Sequence, residues 1–114
     1  MGLREVLVER RAATVARIEA LARDREGIVA SASGVAVDDE HDPEGVTLGF
    51  ERAHVESLLA GARARLAELD AALARAPHDL GTCEGCGGPI GEERLMARPE
   101  TRVCVGCAAR GSTR

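Results

Sequence analysis

Val8, Val15, Ala22 and Val29 recur at intervals of seven, with Ile18, Leu21 and Ile28 between them. Arg, Glu and Asp fill the remaining faces. Apolar residues at this spacing among charged ones predict a helix from residue 3 to about 31, weakened and ended by Ser31-Ala32-Ser33-Gly34. A second stripe, Val55, Leu59, Ala62, Leu66, Leu69 and Leu73, alternates steps of four and three. That spacing is a heptad seam and predicts a second helix from about Thr47 to Ala76, limited by Pro77. Residues 34–47 between the stripes read as a loop, punctuated by Pro43 and Gly45. Asp38, Asp39, Glu40, Asp42 and Glu44 make that loop acidic. Two long helices with apolar seams and a loop between them predict an antiparallel coiled-coil hairpin over residues 1–78, in a mainly α chain.

From residue 79 the pattern changes. Periodicity stops, glycines accumulate, and all four cysteines fall in Cys83-Glu84-Gly85-Cys86 and Cys104-Val105-Gly106-Cys107. Each C-x-x-C is a knuckle whose two sulfurs can reach one ion, and two knuckles supply four thiolates for tetrahedral Zn²⁺. Seventeen residues separate Cys86 from Cys104, enough for a short hairpin that returns the second knuckle to the first. Gly87 and Gly88 stand where the backbone must turn around the metal. The expectation is one structural zinc held by Cys83, Cys86, Cys104 and Cys107 in a module over 79–114, with no coordination position left for chemistry. Its formal charge of about −2 places Arg94, Arg98 and Arg102 as candidate counter-charges.

Composition narrows the function. The chain has 114 residues, no Trp or Tyr, and Phe50 as its one aromatic side chain. Much of its apolar content is alanine, which buries little area, so a compact enzyme with a deep pocket is excluded. The net charge is −4, and all 15 basic residues are Arg. A net negative chain does not bind nucleic acid through its overall field. No apolar run is long enough to span a membrane, and the first residues lack the apolar core of a signal peptide. A reducing cytoplasm is therefore expected, where four cysteines signify metal rather than disulfides.

The zinc motif resembles that of the DksA/TraR family of bacterial transcription regulators. The resemblance rests on Cys83-x-x-Cys86-Gly87, Pro89-Ile90-Gly91, Arg94-Leu95, Ala97-Arg98-Pro99 and Cys104-x-x-Cys107. The upstream helical hairpin with an acidic end matches in architecture. The resemblance implies a regulator that binds RNA polymerase, inserts the hairpin into its secondary channel and places acidic tip residues near the catalytic centre. No direct contact to a DNA sequence and no small-molecule substrate are implied. Asp39 and Asp42 occupy the spacing of the family's two tip aspartates, and Glu44 stands where the family has Ala. These three are the candidate partner-binding tip residues.

The remaining candidates read structurally. His41 and His54 are expected at the surface, and His78 is a poor competitor for a metal that already has four cysteines. Phe50 is expected to pack the top of the hairpin and Met96 to fill the zinc module. Glu51 with Glu56, and Glu68 with Asp70, lie on a helix among arginines and read as surface ion pairs rather than acid–base catalysts. Two other functions use the same cysteines. A GATA-like nucleic-acid finger has this spacer but needs a basic tail, for which only Arg110 and Arg114 remain. A thiol-based redox or zinc-sensing protein needs reactive thiolates.

Overall fold

A computed structural model describes residues 2–33 and 43–111. Two long helices, α1 (Leu3–Ser33) and α2 (Pro43–Ala74), are followed by a 3₁₀ turn (Pro77–Asp79) and two short helices, α3 (Glu92–Ala97) and α4 (Val105–Ala109). The chain is mainly helical, with long paired helices followed by a four-cysteine module, as the sequence predicts. Contacts divide it into two compact units, one of Met1–Ala13 with Arg65–Arg114 and one of Thr14–Ala64.

In the second unit Leu21, Leu59 and Ala62 form the buried core, with Ile18, Val55 and Leu58 packed against it. Arg25 Nε donates to Glu56 Oε1 at 3.1 Å, and Arg52 donates to the same carboxylate from one turn earlier on α2. From Leu21 to Arg25 along α1, the partners on α2 fall from Leu59 to Glu56, so the helices run antiparallel here. In the first unit Leu7, Leu69 and Ala72 are fully buried, flanked by Leu3, Leu73 and Leu80. Arg4 Nη1 donates to the Leu73 carbonyl and Arg11 Nε to Asp70, which is again an antiparallel register.

On the α2 stripe Leu59, Ala62 and Leu69 are buried and Val55, Leu66 and Leu73 half-buried, on the face its spacing predicts. On α1 the buried track lies one residue earlier than expected. Leu7, Thr14 and Leu21 are buried and Ile28 half-buried, while Val8 is 52% exposed. Both tracks have a seven-residue repeat, and the buried one contains a polar residue, Thr14, which an apolar pattern passes over. α2 also begins at Pro43 rather than near Thr47. Proline suits the first helical turn, where its missing N–H would have no intrahelical partner. Two packing expectations fail. Phe50 is 74% exposed on α2, and Met96 is 60% exposed on α3. Among the described residues no helix is long and apolar enough to cross a membrane.

Candidate metal centre

Little conventional core exists between residues 80 and 111. Cys83, Ile90, Val103 and Cys107 are buried together, with Leu95 and Cys104 packed against them. Backbone geometry delivers the sulfurs. The Cys83 N–H donates to Gly88 O at 2.8 Å, and the Gly87 N–H returns to Cys83 O at 2.9 Å, closing a tight turn around the first knuckle. Gly87 sits at φ 76°, the left-handed region that glycine enters without penalty; Gly88, expected to share that role, has no positive φ. A lone antiparallel bridge pairs Thr82 with Pro89. The second knuckle is carried by α4, whose N-cap is Cys104. The two knuckles are joined directly, since the Glu84 N–H donates to Arg102 O at 2.8 Å.

The sulfurs of Cys83, Cys86, Cys104 and Cys107 all lie within 4.8 Å of one another. A tetrahedron of zinc–sulfur bonds of about 2.3 Å puts its corners about 3.8 Å apart, and Cys86 Sγ stands 3.9 Å from Cys104 Sγ. No disulfide joins any pair. N–H groups point at the sulfurs as they do around thiolates. Gly85 and Cys104 donate to Cys83 Sγ, both at 3.3 Å, and Cys107 donates to Cys104 Sγ at 3.4 Å. The Cys104 N–H, more than any other group, holds the Cys83 thiol down at about 6. The same kind of bond from Cys107 lowers Cys104. Cys107 goes the other way, to about 12, because it shares hydrogen bonds with Cys83 and Cys104 that favour its protonated form. Four thiolates this close cannot all ionise unaided, and a divalent cation removes that conflict. The donor set therefore fits one Zn²⁺ in a closed, structural site.

The positive charge beside the sulfurs is not the one expected. Arg110 Nη2 donates to Cys107 Sγ at 3.3 Å. Arg94 instead bonds Val103 O at 2.9 Å and Thr101 Oγ1, and Arg102 pairs with Glu84. Arg94, Arg98 and Arg102 together line a cleft of about 570 Å³. Arg110 was legible only as part of a short basic tail; its position one helical turn after Cys107 was the available signal. His78 is not gathered with the cysteines and stands beside Asp79 at 3.4 Å. Asp70 and Glu56 carry ion pairs, as surface carboxylates do. Asp39 and Asp42 lie outside the described residues, and Glu44 falls within α2.

Two long paired helices joined to a four-cysteine metal module define a small class of zinc proteins. Residues 78–110 match the family model of the prokaryotic dksA/traR C4-type zinc finger. The structure of transcription factor DksA2 from Pseudomonas aeruginosa is similar at a TM-score of 0.77 and 26% identity, over 96% of this chain and 79% of that one. No curated protein matches the sequence significantly.

Proposed function

We propose that the chain is a zinc-binding regulator of the DksA/TraR kind, which modulates transcription initiation by binding RNA polymerase through its secondary channel. Cys83, Cys86, Cys104 and Cys107 hold the zinc in a module over 79–114. The helical pair within 1–78 supplies the reach, and Asp39, Asp42 and Glu44 form its acidic effector end. The similarity to a transcription factor over 96% of the chain carries this reading, because it takes in the helices as well as the finger. The net charge of −4 favours a protein partner over direct DNA binding. No catalytic step belongs to this function, and the site of action is the cytoplasm.

Co-purification with RNA polymerase, followed by crosslinking from residue 39, tests it. The expected product is a crosslink to the polymerase's channel-lining subunits. A chain that polymerase does not retain overturns the proposal. The effector end is tested separately by Asp39→Asn with Asp42→Asn in transcription in vitro. Loss of the initiation effect with polymerase binding retained is the expected outcome, and an unchanged effect removes the tip role.

A further inference from the structure

Glu100 is a carboxylate in an unusual place. Its side chain is 2% exposed. It follows Pro99, which is also fully buried, in the segment that joins α3 to Cys104. Neither carboxylate oxygen accepts a hydrogen bond, and the cation set against it is Arg65, with Nη2 at 3.9 Å from Oε1. A second arginine holds the same residue by its backbone, since Arg75 Nη2 donates to Glu100 O at 3.4 Å. Arg75 is itself part-buried, with its Nη1 lacking a hydrogen-bond partner, and desolvation lowers its pKa, with Arg102 adding to the effect. A buried carboxylate is tolerated only where a cation is held beside it.

Arg65 lies on α2 and Arg75 follows its last residue, so both reach Glu100 from the C-terminal turns of that helix. Between Glu100 and Cys104 the chain is tied by hydrogen bonds. Arg94 pins both Thr101 Oγ1 and Val103 O, and the Cys104 N–H is committed to Cys83 Sγ. Displacing Glu100 therefore displaces the second cysteine pair.

We infer that Glu100 is a positioning residue for the metal centre: with Arg65 and Arg75 it latches the approach to Cys104 onto the end of α2, so that zinc loading and the ordering of residues 65–75 rise and fall together. The inference rests on the zinc assignment proposed above. It makes the metal module a clamp on the long helices as well as a fold of its own.

The test is a charge-rescue series on the full chain, read by zinc affinity in chelator competition and by amide exchange at residues 66–75. Arg65→Ala leaves a buried carboxylate without its cation and is expected to weaken zinc at least about tenfold. Glu100→Met removes the charge at similar length and is expected to weaken it less than about threefold. The double variant is expected to recover to within about threefold of the wild type, a rescue that lost packing at Arg65 cannot produce. In the wild type, zinc should slow exchange at residues 66–75, and in Glu100→Met that slowing should shrink. Wild-type affinity in Arg65→Ala, a double variant no tighter than Arg65→Ala, or unchanged zinc-dependent protection in Glu100→Met each overturns the latch while leaving the zinc assignment standing. A wild-type chain that takes up no zinc overturns both.

Discussion

The helical segments 14–33 and 43–64 are held together by different means from residues 80–111. In the first, Leu21, Leu59 and Ala62 are buried along helices whose hydrogen bonds are local, and the ion pairs of Glu56 lie at the surface. No metal ligand takes part in that packing. In the second, two of the four residues of the buried hydrophobic cluster are cysteines, and the helices are six and five residues long. Helices that short do not form unaided. The comparison teaches that one sequence can combine a segment stabilised by apolar repetition with one whose folding free energy is metal affinity.

Metal removal separates the two most sharply. With thiols kept reduced, excess chelator should abolish amide protection across residues 80–110 while most helical circular dichroism remains. Protection that survives in the metal-free module would mean that Ile90, Val103 and Leu95 suffice without the ion. Acid should act in the same direction. Thiolates bind the metal and protons compete for them, so affinity must fall as pH falls. Without metal the module is expected to be unfolded, so its four thiols stand near their ordinary pKa of about 8.5 and are mostly protonated at neutral pH. Zinc uptake near pH 7 should therefore release close to one proton per sulfur, as calorimetry in buffers of different ionisation enthalpy can measure, and a clearly smaller release would mean that the hydrogen bonds lowering Cys83 persist without the metal.

Within the helices, Leu7 and Val8 decide which α1 track is the seam. Leu7 is fully buried against Leu69 and Ala72, and Val8 is 52% exposed. Leu7→Ala should cost about 2–4 kcal/mol in urea unfolding, and Val8→Ala less than about 0.5 kcal/mol. The reverse order would restore the track that the valine periodicity favours.

That pair also shows what the sequence made legible. The α2 seam was readable because every step of its stripe is apolar, with Leu59, Ala62 and Leu69 buried. The α1 seam was not, because Thr14 interrupts it while the more uniformly apolar track beside it, with Val8 exposed and Val15, Ala22 and Val29 half-buried, lies at its margin. The four-cysteine cluster was readable from the spacing of its two C-x-x-C pairs, whose sulfurs all lie within 4.8 Å of one another. Arg110 and Glu100 were hidden, because a lone arginine or glutamate among glycines and arginines reads as solvated until the fold brings it to a sulfur or buries it. Pro43 misled through its dual character, as a breaker inside a helix and a favoured opener at its first turn.

A smaller effect separates the two glycines after the first knuckle. Gly87 is at φ 76° with no heavy atom within 4 Å of where a Cβ would stand, so Gly87→Ala meets backbone strain alone. That strain is about 1–2 kcal/mol and should weaken zinc about five- to thirtyfold. Gly88 has no positive φ, and its added Cβ would sit 3.5 Å from Cys86 Sγ, an ordinary contact. Gly88→Ala should leave affinity nearly unchanged, and equal losses in both variants would point to crowding of the sulfurs rather than backbone strain.

The smallest expected effect lies on the metal-independent side. Hydrogen bonds from Arg25 first, and then from Arg52, hold the Glu56 carboxyl below its ordinary value of 4.5. In acid the unfolded chain therefore binds this proton before the folded one does. The stabilisation is complete above pH 4.5 and disappears as pH falls through the lower folded value. The carboxylate is 44% exposed, so water and salt screen it and the benefit is slight. Glu56→Gln should melt marginally below the wild type at pH 7, and the two should converge as pH falls through the lowered folded value. Because the pair belongs to the helices, the difference should persist with chelator present. A difference that vanishes on zinc removal would mean that the metal module influences the long helices well beyond residues 65–75.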